Sequence, residues 1–318
     1  MDDIIKKISI DMLKQNGIVP EKIGLTYYGE NNFILPIQLN GTIYYFKFFP
    51  NSNIDQLKSE IIFTRYLREN GINTPKYFKQ GDREVFETDC NSMKVLFFAT
   101  EHIDADIEPD KTPELLIDII KNVARIHMQT KKFDKGSIKI ERVTDYQKLF
   151  AYYISQNEFW KKHDLDQIIE KAIQIGDEKR DTYPIHSDLR IANIMIENGR
   201  VKSFIDFGDL RESYFEDDLG KFFQSLVGTN GINLGGIKRL ITLYESETDT
   251  KVSRKKIYIS MIYNLMERFY ANMQSQENLE YTKRAKHILS ELEAEIDGLE
   301  QSLSIDKKND EGNIERGL

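Results

Sequence analysis

The chain of 318 residues carries 52 acidic against 44 basic side chains, with 40% hydrophobic and 30% charged residues, a composition that excludes disordered and fibrous classes. Its acidic balance argues against a nucleic-acid backbone as partner, and no apolar run approaches the roughly 18 residues of a membrane span. A single cysteine, Cys90, excludes an internal disulfide framework or a cysteine zinc cluster, and the opening MDDIIKKISIDML lacks a secretory cleavage pattern, so the expected address is cytoplasmic.

In chain order, an amphipathic helix over Ile4 to Leu13 is followed by β-structure from 23 to 50, with Asn40-Gly41 as the turn between two arms. DQLKSEIIFTRYLREN has helical spacing and stops at Gly71. Strand-like runs around Val85 and at MKVLFFATEHI complete a small sheet. These elements predict an α+β lobe over residues 1–103, with a nucleotide-binding role following from the resemblance given below.

From Thr112 the pattern turns helical, through PELLIDIIKNVARIHMQT, DYQKLFAYYISQNEFWKKH and DLDQIIEKAIQIGDEK. A β-rich stretch at 183–208 interrupts it, and DDLGKFFQSLVG, GGIKRLITLYESE, SRKKIYISMIYNLMERFYANM and YTKRAKHILSELEAEIDGLEQSL resume it. Leu292, Ile296, Leu299 and Leu303 are spaced 4-3-4, but a coiled coil needs sustained heptads, so docking onto this lobe is expected. A helical lobe with one small hairpin is predicted over 104–305, and DKKNDEGNIERGL at 306–318 has little to bury and is expected to fray.

Within IMIENGRVKSFIDF, Asn198-Gly199 is a strong two-residue hairpin signal. An unbroken ladder from that turn sets Met195 against Lys202 and Asn193 against Phe204. Alternation then puts Asn193, Met195, Lys202, Phe204 and Asp206 on one face and Ile194, Ile196, Val201 and Ile205 on the other. Asn193 and Asp206 would bring two hard oxygens near one cation, the donor set that Mg²⁺ prefers when water and phosphates complete it. Asp188 stands five residues before Asn193, on the approach to the same spot. Any one of these side chains alone is more simply read as part of a solvated turn; the joint arrangement carries the signal.

Two charges in the first lobe are misplaced. Lys47 interrupts the aromatic strand YYFKFF, and Glu60 falls inside the inward stripe Leu57, Ile61, Thr64 and Leu67 of the following helix. A buried ammonium without a partner is costly, so a Lys47 to Glu60 pair is expected, the plain alternative being an edge-strand lysine with a snorkelling stem.

His186-x-Asp188-x-x-x-x-Asn193 followed by Asp206-Phe207-Gly208 resembles the catalytic loop and metal-binding triplet of the protein-kinase-like superfamily. With the short hairpin between them and Asp218-Leu219-Gly220 beyond, the pattern over roughly residues 20–305 is similar to the aminoglycoside phosphotransferase and choline kinase group. The resemblance implies a two-lobed, protein-kinase-like α+β fold, ATP and Mg²⁺ as cofactors, and transfer of the γ-phosphoryl group to a hydroxyl. Asp188 would be the base or orienter of that hydroxyl, Asn193 and Asp206 would hold the metal, His186 would brace the loop and Asp218 would be structural. Lys47 would hold the ATP phosphates, positioned by Glu60. Arg190 would contact phosphate or bridge locally, and His127 would be a packed structural residue. The segment Gly29 to Asn32 stands where a glycine-rich loop covers the phosphates, though GENNF is equally read as a plain turn. The Glu101 carbonyl and Ile103 amide stand where such kinases contact adenine.

Only nine residues separate Gly208 from Asp218, and no A-P-E follows, so the activation segment that docks a polypeptide is missing and a small-molecule acceptor is expected. Asp104, Asp106, Asp209, Glu212, Glu216 and Asp217 suit a cationic acceptor, and equally a solvated surface. Two other readings stay open: a nucleotide-binding scaffold without transferase activity, and a metal-dependent hydrolase built on His186, Asp188 and Asp206. Neither oligomeric state nor acceptor identity is written in the chain.

Overall fold

The computed structural model describes residues 2–29, 32–50, 52–90, 93–105, 111–142, 157–162, 181–226, 234–274, 290–292, 294–296 and 298. In chain order the elements are α1 (Asp2–Gln15), β1 (Lys22–Ile23), β2 (Tyr27–Tyr28), β3 (Phe33–Leu39), β4 (Thr42–Pro50), α2 (Ile54–Glu69), β5 (Phe86–Cys90), β6 (Met93–Glu101) and α3 (Pro113–Thr130). They continue with α4 (Asn157–Lys162), β7 (Tyr183–Ile185), β8 (Ile194–Glu197), β9 (Arg200–Phe204), β10 (Arg211–Ser213), α5 (Phe215–Leu226), α6 (Leu234–Thr248) and α7 (Arg254–Gln274). They group into two compact units, Met1–Glu141 with Ala192–Leu210, and Arg142–Ile191 with Arg211–Leu318.

In the first unit the strands form an antiparallel sheet in the order β1-β3-β4-β6-β5, with β2 also on β3. Asn40 and Gly41 both take positive φ, 49° and 78°, as a two-residue hairpin turn with the right-handed twist of its strands requires. Alternation along β4 sends Phe46 and Phe48 into a core with Leu35, Ile37, Phe86, Phe97 and the Met12-Leu13 end of α1. The intervening Tyr45 and Lys47 therefore emerge on the opposite face. There Leu96 and Phe98 of β6 pack with Leu57 and Ile61 of α2. Helix α2 is capped by Asn53, whose side chain accepts from the Asp55 N–H at 2.9 Å, and ends before Gly71, at φ 81°. Thr112 caps α3 in the same way, and Leu115, Ile119, Ile120, Val123 and His127 form its buried stripe.

The β8–β9 hairpin also belongs to this unit, away from the boundary at 103 that the change in pattern suggested. The Val201 N–H donates to Asp118 Oδ2 of α3 at 2.8 Å, and the Phe204 N–H to the Asn73 carbonyl at 3.1 Å. Asn198 and Gly199 form the expected turn, at φ 52° and 70°, but the ladder is broken. Glu197 pairs with Arg200 and Ile196 with Val201, after which Met195 faces Ser203 and Ile194 faces Phe204. Lys202 is the extra residue of a β-bulge, correcting the expected pairings of Met195 with Lys202 and Asn193 with Phe204. The slip keeps the Lys202 ammonium in an ion pair with Glu197 at the surface while Ser203 and Phe204 are buried. Phe204 thus joins the interior and not an open face shared with Asn193.

In the second unit β7 pairs antiparallel with β10, Tyr183 against Ser213 and Ile185 against Arg211, a ribbon absent from the sequence reading because each strand is three residues long. Helices α5 and α7 approach closely at Gly220, where a Cβ would lie 2.5 Å from the Ser260 side chain. Tyr258, Met261, Ile262 and Leu265 of α7 and Ile237, Ile241 and Tyr244 of α6 are buried. Leu292 and Ile296 are buried as well. Their companions Leu299 and Leu303, most of the helices expected over 145–179 and 281–303, and the tail at 306–318 lie outside the described residues. Among the described residues no helix is long and apolar enough to cross a membrane.

Candidate active site

Helix α2 builds one wall of the site. Gln56, Glu60 and Phe63 recur at helical spacing and meet the segment that follows β9: Gln56 Nε2 donates to the Gly208 carbonyl at 3.0 Å, and the Phe63 ring meets Phe207 edge-on at 6.0 Å. Glu60, between them, is 3% exposed. Asp206 takes a left-handed conformation, φ 66° and ψ 59°, which aspartate tolerates better than most residues. The Ile205 N–H donates to the Asn193 carbonyl at 3.0 Å, closing the base of the hairpin. That bond and the turned Asp206 backbone, rather than strand alternation, set Asn193 and Asp206 in place. Asn193 itself ends a short 3-10 turn, Ile191–Asn193, and is buried.

Lys47 Nζ contacts Asp206 Oδ1 at 2.7 Å. The expected direct pair with Glu60 is corrected: Glu60 Oε1 instead accepts from the Tyr77 hydroxyl at 3.0 Å. Asp206 reaches the lysine because its left-handed backbone turns the side chain back toward β4, and Tyr77 occupies Glu60 from the other side. Burial by itself would pull the Lys47 ammonium down, but the charges of Asp206 and Glu60 outweigh it and lift Lys47 above the ordinary lysine value. Burial also lifts Glu60, to about 7, against the opposing pull of Lys47. Desolvation and then the Glu60 charge hold Tyr77 well above the ordinary tyrosine value, so it stays a donor.

The Glu60 shift sets a pH dependence for the ligand-free protein. Protonation of Glu60 is favoured in the folded state, so the associated stability is full below pH 4.5 and is lost as pH rises toward 7. Glu60→Gln, neutral throughout, should melt near the wild type at pH 5 and above it at pH 8, by an amount on the order of 1–3 kcal/mol. Melting curves at the two pH values check this; a gap that does not open with pH would remove Glu60 as a strained buried acid.

Lys47, Glu60, Asp206 and Tyr77 line a cavity of about 240 Å³, walled further by Ile34, Tyr45, Met195 and Ile205. Its far side is the strand end Thr100 to Ile103. There the Glu101 N–H is taken by the Lys76 carbonyl at 2.8 Å and the His102 N–H by the Ile43 carbonyl at 2.9 Å. The Glu101 carbonyl and the Ile103 N–H are not consumed by these bonds, which sets an acceptor and a donor two residues apart beside an apolar, purine-sized space. Gly29 and Asn32 do not line this cavity. The Gly29 N–H is spent on the Asn32 carbonyl at 2.9 Å, and a Cβ on Gly29 would sit 2.8 Å from Asn32 Oδ1. The Gly29 N–H is therefore already spent within the chain, and Glu30 and Asn31 lie outside the described residues.

In the second unit β7 leads into the loop His186 to Arg190. Asp218, in the first turn of α5, holds that loop by its backbone: Oδ2 accepts from the His186 N–H at 3.0 Å and Oδ1 from the Ser187 N–H at 2.7 Å. Ser187 takes φ 66°, and Asp188 follows with 8% exposure. Arg190 Nη2 meets Asp188 Oδ2 at 2.8 Å, and Lys221 Nζ stands 3.7 Å from Oδ1. Neighbouring acids are not the solvated groups their run suggested. Glu216 accepts from the Ser253 N–H at 2.9 Å, and the Ser213 hydroxyl donates to Asp217, whose burial pushes it well above the usual carboxylate range. Glu212 accepts from the Thr182 hydroxyl. In the first unit Asp104 and Asp209 are exposed, whereas Asp106 lies outside the described residues.

Asp206 lines the cavity and Asn193 is tied to the same hairpin base through its backbone carbonyl; an amide and a carboxylate oxygen are the donor types that suit Mg²⁺ held jointly with phosphates. Among the described residues no group of three or more His, Cys, Asp or Glu could hold a metal by itself. Three residues of these clusters escaped the sequence reading. Tyr45 lies two residues before Lys47 on the same face of β4, and Lys221 one helical turn after Asp218, so both were within reach of periodicity. Tyr77 carried no motif.

An antiparallel sheet backed by a helix, with a lysine-aspartate pair in a purine-sized cavity, and a mainly helical second unit make a protein-kinase-like fold. The model of the phosphotransferase enzyme family, APH, matches residues 37–238. The chain belongs to that family and is a small-molecule phosphotransferase. Among solved structures, an amicoumacin kinase in complex with AMP-PNP, Ca²⁺ and Ami is 17% identical at a TM-score of 0.69, covering 93% of this chain and 96% of its own. A microcompartment-associated aminopropanol kinase is 15% identical, with a TM-score of 0.61 and coverage of 85% and 90%. A spectinomycin phosphotransferase in complex with ADP and spectinomycin is 14% identical, with a TM-score of 0.62 and coverage of 90% and 98%. No curated protein sequence matches the chain.

Proposed function

We propose that the protein transfers the γ-phosphoryl group of ATP to a hydroxyl of an amino sugar, amino alcohol or related metabolite. The contact that carries this reading is Lys47 to Asp206 at 2.7 Å, in a cavity bounded by the peptide edge at Glu101 to Ile103. Adenine would occupy the apolar part of that cavity, its amino group toward the Glu101 carbonyl and its N1 toward the Ile103 N–H. Lys47 would then hold phosphate oxygens, with Glu60 as its remaining anion once Asp206 turns to metal. Asn193 and Asp206 would hold Mg²⁺, which when bound neutralises phosphate charge. Asp188 orients the acceptor hydroxyl and takes its proton as a P–O bond forms to the γ-phosphorus and the bond to ADP breaks. Catalysis of this kind is mostly positioning and charge stabilisation.

The names of the structural neighbours, which include an aminopropanol kinase and a spectinomycin phosphotransferase, support an acceptor in the amino-alcohol or aminoglycoside range. Among the described residues, Asp104 and Asp209 are exposed acids in the first unit, Asp104 with His102 at 2.9 Å. The test is an ADP-release screen with Mg²⁺-ATP across aminoglycosides, choline-like amines, amino alcohols, homoserine and neutral sugars. Stimulated release is expected with an amine-bearing member. Mg²⁺-ATP binding without release for any acceptor would favour a nucleotide-binding scaffold, and a response confined to neutral sugars would remove the amine requirement.

A further inference from the structure

We infer that Lys221 is a positioning residue for the transfer step, acting through Asp188; this rests on the reading of Asp188 as the group that serves the acceptor hydroxyl. Asp218 and Lys221 lie three residues apart in α5 and so share one face of the helix. The first grips the backbone of the loop through the His186 and Ser187 N–H groups, and the second faces the carboxylate that the loop presents. One helix thereby fixes both where Asp188 sits and which way its side chain points.

The two cations on Asp188 are not equivalent. Arg190 is on the same loop, two residues on, half of its side chain is in solvent, and it takes Oδ2 at 2.8 Å. It moves with the carboxylate and cannot orient it relative to the helix. Lys221 comes from a different element, with 22% of its side chain exposed, and stands 3.7 Å from Oδ1. That distance is too long for a hydrogen bond, so the ammonium acts on the carboxylate through its charge. Among the described residues, Asp188 is the one acid within ion-pair reach of Lys221. Lys221 therefore biases the orientation of the carboxylate from the helix, whereas Arg190 meets Oδ2 from within the loop.

The experiment compares the wild type, Lys221→Gln, Lys221→Arg and Asp188→Asn in steady-state ADP release with Mg²⁺-ATP, using water and the best acceptor of the screen. Melting curves accompany each variant. Lys221→Gln is expected to lower kcat by about 10- to 100-fold, the scale of a misplaced catalytic group, with KM for ATP and the melting temperature nearly unchanged. Lys221→Arg should recover most of the lost rate, because it restores the charge on the same helical face. An unchanged kcat in Lys221→Gln, or an Lys221→Arg variant as slow as Lys221→Gln, overturns the inference. Asp188→Asn separates the two layers. A wild-type rate there overturns the base reading, whereas collapse there beside a normal Lys221→Gln overturns the role of Lys221 alone.

Discussion

Asp188→Asn is expected to lower turnover by about 10² to 10⁴-fold, the usual contribution of a positioned acid or base, while nucleotide binding persists. The polar groups proposed to hold nucleotide, Lys47, Glu60 and Asp206, line their cavity within the first compact unit, and Asp188 is not among its walls. Asparagine keeps the shape of the side chain, and the loop backbone stays gripped by Asp218. Losing the carboxylate leaves Arg190 without that partner, but half of the arginine side chain is exposed, so water screens the loss to below about 1 kcal/mol. Single-turnover kinetics with titrated nucleotide distinguish the cases: a weaker ATP complex at unchanged chemical rate would remove Asp188 from the reacting centre.

Asp206→Asn should abolish the strengthening of ATP binding by Mg²⁺ and lower turnover by at least about 10² to 10³-fold, as expected when a preorganised charge at the phosphates is removed. Asparagine is the informative replacement because it tolerates the left-handed backbone at φ 66°; alanine would add a conformational cost to the chemical one. Lys47 then loses the anion at 2.7 Å, yet Glu60 also raises it, so the ammonium is not left bare. The Asp206 side chain is 42% exposed, and the stability lost should be on the order of 1 kcal/mol, a few degrees in melting temperature. The activity loss must therefore exceed anything unfolding explains. Titration of ATP with and without Mg²⁺ is the measurement, and an undiminished metal effect would displace Asp206 as a ligand.

Much of this architecture was legible because its signals are local. Asn-Gly pairs at 40–41 and 198–199 demand positive φ and received it, and the Asn53 and Thr112 caps mark helix starts in the chain itself. Lys47 and Glu60 stood out as charges in apolar patterns, and both border the cavity. The partner that each takes was not legible. Which anion reaches Lys47 depends on the backbone twist at Asp206, and although aspartate tolerates a left-handed backbone, nothing local says which aspartate adopts one. Tyr77 is a further case, since its value lies in a hydrogen bond to a residue 17 positions away. The acids at 216 and 217 misled because a run of carboxylates reads as solvated surface, whereas here a helix start and a buried serine absorb them. The bulge at Lys202 escaped for a related reason: alternation assumes a continuous ladder, and a half-buried lysine paired with Glu197 breaks it.

That bulge bears on how relatives of this chain can be found. The interval of thirteen residues between Asn193 and Asp206 is a property of the hairpin, not of the chemistry. Its base is pinned by the Ile205 to Asn193 bond, whereas Glu197 to Gly199 at its tip are exposed. Insertions and deletions can accumulate at that tip without displacing either oxygen donor, so a pattern that demands a fixed interval would discard homologues with intact sites. A search that anchors the two ends and leaves the gap free would keep them.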